Sequence, residues 1–349
     1  MKISWSRIEK YLTCPKYYYY YYICGYRDTT ISSALFFGTS LGTTWQQILL
    51  TKKEQLTEEE KKIININPYI FFDNLYKTVK INDNIYDLED CMYARYFKSD
   101  FDSDILNTED NERITTYKQK NNIEESLSFD ILYPKYETYS TNEKETKFIN
   151  FLFWVSTRRK AYMLIDIYIK EVLPLVHKVH RIEGKISIEN TNGDVLEGFL
   201  DVDADFEYPK DNVQRVILDH KTSSVKYSSN AILTKQQLAL YSYSEGIETQ
   251  GYIIGLKKIK KPKIGTNKGK LQAEIQILVD KISEERQEEV IKEADSVLQK
   301  IKKQEFEKDY SKGCLVFGKS CCYKPLCHKG CNPDYLYIKK GENISKKWE

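Results

Sequence analysis

Apolar residues recur at helical spacing from the start of the chain. Trp5, Ile8, Tyr11 and Leu12 share one side of a 3.6-residue repeat, so the pattern predicts a helix over residues 3–23 with Ser4 or Ser6 as its N-cap. A second helix is predicted over "SSALFFGTSLGTTWQQILL" (32–50), where Gly38 and Gly42 lie one turn apart and allow close helix packing. Residues 51–125 are polar and charged, broken by a helix predicted near 86–99, and read as a helical insertion. Residues 142–179 are helical in pattern, with Pro174 ending or kinking the helix it interrupts.

Beyond residue 180 the period changes from helical to twofold. "HRIEGKISIENTNGDVLEGFLDVDADFEY" alternates, turns at Asn192–Gly193 and alternates again, which predicts a β-hairpin. "RVILDHKTSS" reads as a short buried strand, "TKQQLALYSYSEG" as a helix and "QGYIIGLKKIKK" as another strand. "ISEERQEEVIKEADSVLQKIKKQEFE" is an amphipathic charged helix leading into a cysteine-rich tail. Strands interleaved with helices in this order predict an α/β fold with a mixed central sheet flanked by helices.

Composition adds limits. A chain of 349 residues with 41% hydrophobic content can build a substantial core. The net charge of +2 means that a nucleic-acid surface must be a local patch. No stretch approaches the roughly 20 apolar residues that span a bilayer, so no membrane association is expected and the cytoplasm is the default compartment. In a reducing compartment, eight cysteines point to metal or redox chemistry rather than disulfides. Five of them, Cys314, Cys321, Cys322, Cys327 and Cys331, crowd into "GCLVFGKSCCYKPLCHKGC" (313–331), while Cys14, Cys24 and Cys91 are scattered.

The candidate chemistry lies between Glu183 and Tyr241. Residues two apart on a strand point to one face, so Asp219 and Lys221 project together and Asp201 meets them from the neighbouring strand. Two carboxylates and an ammonium converging at a sheet edge suit a hydrolase that uses a hard divalent cation such as Mg²⁺ or Mn²⁺. An Asp-x-Lys pair in isolation is usually a surface salt bridge; the ordered set Gly-x-x-Asp, Asp-x-Lys and Gln-x-x-x-Tyr is what sets this one apart. His220 should face the other way, as a core or hydrogen-bonded residue. Asp203 and Asp205 alternate in phase with Asp201; Asp203 is a possible metal aid, although solvent-facing carboxylates explain both more cheaply.

"GFLD" (198–201), "ILDHKTSS" (217–224) and "QLALY" (237–241) resemble the motifs of the PD-(D/E)XK nuclease superfamily, specifically its RecB-like branch. "SWSRIEKYLTCPKYYYYYYI" (4–23) and "SSALFFGTSLG" (32–42) are similar to that branch's opening helices. "DHKTSSVKYSSNAILTKQQLALYSY" is similar to phage-encoded relatives of the CRISPR-associated RecB-type exonucleases. The resemblance implies one nuclease domain over 1–349: N-terminal helices in 1–50, a helical insertion in 51–180, a restriction-endonuclease-like core in 181–305 and an iron–sulfur tail in 306–349. It makes Asp201 and Asp219 metal ligands and Lys221 the catalytic lysine. It sets Gln237 and Tyr241 towards the DNA or the active site, and Glu183 where some members carry a further acidic group. One departure stands out: Gly42 occupies the place of a histidine that touches the second metal position in many relatives.

The resemblance also implies a 4Fe–4S cluster held by Cys14, Cys314, Cys321 and Cys327. Cys321 rather than Cys322 keeps the family spacing. A zinc site from Cys321 or Cys322 with Cys327, His328 and Cys331 is an alternative, as are unliganded thiols. Cys24 and Cys91 read as small core residues. Two basic clusters, "GLKKIKKPKIGTNKGK" (255–270) and "STRRK" (156–160), are candidates for tracking DNA phosphates, the first equally a solvated hairpin. The implied activity is a metal-dependent DNA exonuclease acting on ends or single strands, with a single-strand annealing protein as a candidate partner. The alternatives are a spacer-trimming nuclease beside a CRISPR integrase and a catalytically weakened DNA-binding or nuclease-modulating module.

Overall fold

Long twofold repeats build the centre of the molecule. The computed structural model describes residues 1–27, 31–81, 84–89, 91, 94–190, 192–262, 268–309, 314–316, 319–329 and 337–339. The predicted hairpin pairs with a further edge strand and three later strands in one six-stranded sheet. In chain order the elements that shape it are β1 (Lys2–Ser4), α1 (Trp5–Thr13), α2 (Pro15–Tyr18), α3 (Ser33–Leu49) and α4 (Glu143–Ile167). These are followed by β2 (Val176–Glu189), β3 (Val195–Glu207), β4 (Val213–Ser223) and α5 (Gln236–Glu245). Strands β5 (Thr249–Lys260) and β6 (Gln272–Lys281) and helix α6 (Glu284–Lys302) complete the set.

The sheet is mixed. β2 runs antiparallel along β3 from Val176↔Phe206 to Glu189↔Val195. On the other edge of β3, β1 pairs parallel through Lys2↔Val195 to Ser4↔Glu197, and β4 pairs antiparallel through Val202↔Leu218 to Glu207↔Val213. Residues 198–201 of β3 lie between these two partners. β4 leaves β3 after Leu218 and continues parallel to β5, from Gln250↔Ile217 to Leu256↔Ser223. The sheet therefore forks at Asp201 and Asp219.

Apolar side chains pack on both faces. Val216 and Leu218 enter a core with Trp45, Phe153, Leu164 and Tyr168 from α3, α4 and the turn that follows. Ile217 faces the other core, with Ile8, Tyr11, Leu240 and Leu298 from α1, α5 and α6. Neighbouring residues of β4 thus serve opposite layers, as period-two alternation requires.

Several expected elements change. The helix over 3–23 divides, because Pro15 disfavours helical backbone at Cys14, which is extended at φ −168° and ψ 120°. Pro15 then opens α2 at a position where its missing N–H costs nothing, and Tyr19–Ile23 finish as a π-turn. The start of the expected helix is β1, since Ile3 pairs into the sheet. α4 ends at Ile167, and after Pro174 the chain is already strand at Val176. Among the described residues the helix predicted near 86–99 is not formed: Thr78–Ile81 and Asn84–Asp87 pair antiparallel, and Lys98–Asp100 make a 3₁₀ turn. Gly38 and Gly42 bring α3 onto a strand rather than a helix. A Cβ on Gly38 would meet Thr222 Oγ1 at 3.0 Å, and one on Gly42 would lie 4.0 Å from the His220 Cβ.

Candidate active site at the sheet fork

The fork gathers the predicted carboxylates and lysine. Asp201 is the first residue of β3 past its last pair with β4, and Asp219 is the first of β4 beyond that same pair. Asp201 Oδ2 accepts the His220 main-chain N–H at 2.8 Å. Asp219 is only 1% exposed. Lys221 Nζ lies 2.6 Å from Asp219 Oδ2, an ion-pair distance, yet neither oxygen of Asp219 accepts a well-directed hydrogen bond. The Lys221 side chain keeps 35% of its surface open to solvent.

This geometry sets the protonation behaviour. Burial pushes the Asp201 carboxyl up to about 7, with the charge of Asp219 adding to it against Lys221 and the His220 N–H. Burial likewise raises Asp219, opposed by Lys221. Burial disfavours the Lys221 ammonium, but the two aspartates outweigh it and hold the lysine above its ordinary value. Poorly solvated carboxylate oxygens beside a single ammonium form a site that a hard divalent cation fits, since it would supply the missing partners. Among the described residues, no three His, Cys, Asp or Glu side chains come together as a ready-made metal site. Asp201 and Asp219 form the nucleus, with Glu183 set apart on β2.

Glu183 lies between the pairs Ile182↔Val202 and Gly184↔Leu200, across from Asp201. Its backbone is left-handed at φ +51°, unusual for a residue with a side chain. Its Oε1 accepts from Gln46 Nε2 of α3 at 2.6 Å. Gln46 was not singled out from the sequence; the available signal was a polar residue one turn past Gly42. Gln237 and Tyr241 are joined to each other, and the Tyr241 hydroxyl donates to the Phe199 carbonyl at 2.7 Å. They tie α5 to the stretch of β3 between its pairings with β1 and β4, instead of pointing free into the fork.

Other residues fall outside the site. His220 is buried on the far face, bonded to the Tyr168 hydroxyl at 3.0 Å, and burial with the Lys221 charge holds its imidazole down at about 3. Asp203 is not solvent-facing: it is 0% exposed and accepts from both Arg181 and Arg215. Burial raises its carboxyl, but the two guanidiniums more than reverse this. Asp205 pairs with His180 at 2.9 Å.

In the "STRRK" cluster Arg159 keeps 30% of its side chain exposed beside Asp110, and the other two cations are engaged within the fold. Arg158 is buried against Asp73, and Lys160 donates to the Ser99 and Asp100 carbonyls. In the lysine-rich turn, Lys257, Lys260 and Lys261 face Asp100, Glu274 and Asp104, while 263–267 lie outside the described residues.

The four predicted cluster cysteines, distant in sequence, share one cavity without forming a ready-made metal site among the described residues. Cys14, Cys314, Cys321 and Cys327 line one cavity of about 30 Å³, walled by Tyr17 and Tyr323. All four are free thiols. A hydrogen bond from Cys322 holds the Cys321 thiol down at about 7 against burial, helped by the Tyr323 and Lys324 N–H groups. Cys314 Sγ lies 3.1 Å from His328 Nε2. Cys331, a member of the alternative zinc set, lies outside the described residues. Cys91 is a buried core residue and Cys24 is half-buried.

A family model described as the PD-(D/E)XK nuclease superfamily matches residues 136–328, more than half of the chain. The matched span holds the whole fork and the three tail cysteines predicted for the cluster, but neither Cys14 nor Gln46. No curated protein matches the chain. Among the described residues, no helix is long and apolar enough to cross a membrane.

Proposed function

The chain belongs to the PD-(D/E)XK nuclease superfamily, whose members are metal-dependent nucleases, and we propose that it is a DNA exonuclease whose active site is the fork. Asp201 and Asp219 would hold Mg²⁺ or Mn²⁺, with Glu183 contributing from across β3. When bound, such a cation acidifies water and screens phosphate charge. Lys221, kept protonated by the aspartates, sets a positive charge where negative charge grows on the phosphate being cleaved. The Gln237–Tyr241 pair fixes the backbone of β3 beside Asp201, so the carboxylate is held ready. The observation that carries the reading is Asp219, buried where β4 parts from β3, with Lys221 paired to its Oδ2 and no hydrogen-bond partner for its Oδ1.

Action at DNA ends or single strands rests on the likeness of residues 219–243 to RecB-type exonucleases. In the same reading Cys14, Cys314, Cys321 and Cys327 hold a 4Fe–4S cluster. Support comes from four free thiols on one cavity, with Cys322 acting as a neighbour of Cys321 outside it.

The test is cleavage of end-labelled single- and double-stranded DNA by anaerobically purified protein with Mg²⁺ or Mn²⁺. Lys221→Ala is expected to slow cleavage by at least about a hundredfold. Equal rates for variant and wild type would remove Lys221 from the chemistry. No cleavage by wild type with either metal would overturn the nuclease reading.

A further inference from the structure

Helix α3 contributes one polar contact to the fork, and it reaches a residue that no other described side chain touches by a hydrogen bond. Gln46 is 8% exposed, so its amide is placed by packing and not by solvent. Trp45 beside it stacks on Tyr168 at 4.8 Å and meets the His220 ring edge-on at 5.4 Å. Gln47 donates to the Ile63 and Ile66 carbonyls at 3.0 and 2.9 Å. The helix is therefore pinned on both sides of Gln46. From there Nε2 reaches Glu183 Oε1 at 2.6 Å, while Glu183 Oε2 accepts no hydrogen bond from the described residues.

Resting on the reading of the fork as a metal site, we propose that Gln46 is its positioning residue. Its amide holds one oxygen of Glu183, so that the other is presented as a third carboxylate oxygen for the cation. A neutral donor suits this task. An arginine or lysine there would neutralise Glu183 and compete with the metal, whereas an amide orients the carboxylate and leaves its charge intact. Asp219 Oδ1, buried and without a hydrogen-bond partner beside the Lys221 pair on Oδ2, supplies the independent sign that the fork takes a cation.

The experiment titrates Mn²⁺ into the full chain and follows the free-ion signal by electron paramagnetic resonance, without DNA. Gln46→Met keeps length and packing but removes the donor. It is expected to weaken Mn²⁺ binding about tenfold or more, the usual effect of losing a partner that orients a ligand. Its metal-free melting temperature should stay within a few degrees of wild type. In a Glu183→Gln background the same change should add little, because the two residues act as a unit. If Gln46→Met melts early, Glu183→Asp reads the contact from the exposed side by withdrawing the acceptor. Unchanged Mn²⁺ affinity in Gln46→Met, or losses that simply add in the double variant, would overturn the proposal while wild-type cleavage still stood. A wild type that binds no Mn²⁺ would overturn the metal-site reading and this inference with it.

Discussion

At the fork, Tyr241 is held by the main chain of β3. Burial, then the charge of Asp219, raises its hydroxyl well above the ordinary tyrosine value, so it stays protonated and donates to the Phe199 carbonyl. Tyr241→Phe should cost about 1 kcal/mol in urea unfolding, one hydrogen bond's net worth, and slow cleavage only a few-fold. A loss as deep as that of Lys221→Ala would instead put the hydroxyl in the reaction. The Asp-x-Lys pair was readable from the sequence because period two fixes its shared face. Asp203 was misread by the same rule, since alternation says which face a side chain takes but not what covers it. There the cover is Arg181 and Arg215, with Glu245 behind Arg181. Gln46 was not readable, because its contact depends on where α3 crosses the sheet and on a left-handed Glu183.

Among the elements, the strong periodicities predicted well. The hairpin β2–β3, the strands β4 and β5 and the helices α5 and α6 follow from alternation, the Asn192–Gly193 turn and the amphipathic pattern of 284–302. Short edge pieces did not, because β1 is three residues long and gains its structure only by pairing with β3. Helix α4 carries a buried cation that ties it to the 3₁₀ turn at Lys98–Asp100. Lys160 is 3% exposed, and burial lowers its ammonium to about 8, against the pull of Asp100 and Asp102.

Its effect on stability has a definite sign. Between pH 8 and the unfolded value of 10.5 the unfolded chain binds the extra proton, so this group's contribution to stability rises with pH across that window. The folded state keeps both carbonyl contacts when the amine is neutral. Relative to Lys160→Met, which has no titrating group, wild type should therefore gain up to about 3 kcal/mol from pH 8 to 10.5. Chemical unfolding of both proteins at several pH values checks this. A constant difference would show that Lys160 titrates as a solvated lysine.

Across the whole molecule, the first helices and the cysteine tail are brought together by more than thiols. Tyr17 and Tyr20 contact the Tyr323 ring at 5.1 and 5.4 Å, and the Tyr323 hydroxyl donates to the Tyr26 carbonyl at 2.7 Å. Tyr26–Arg27 also pair with Ile338–Lys339. The tyrosine run thus packs against the tail, with Lys10, Lys16 and Arg27 laid over its outer rings. A cluster bound by Cys14 and the tail cysteines would close a loop of roughly three hundred residues, a constraint on the unfolded chain worth on the order of 5 kcal/mol. Cys14→Ser should therefore bleach the visible absorbance near about 400 nm expected of such a cluster. It should also lower the melting temperature of anaerobic protein by roughly 5–10 °C. Lys221→Ala, at the fork, should leave colour and iron content unchanged. The aromatic contacts predict that the serine variant still folds, so its melting curve remains measurable. Iron-free, colourless wild type with stoichiometric zinc, or equal melting of the two proteins, would refute a cluster that cross-links the chain.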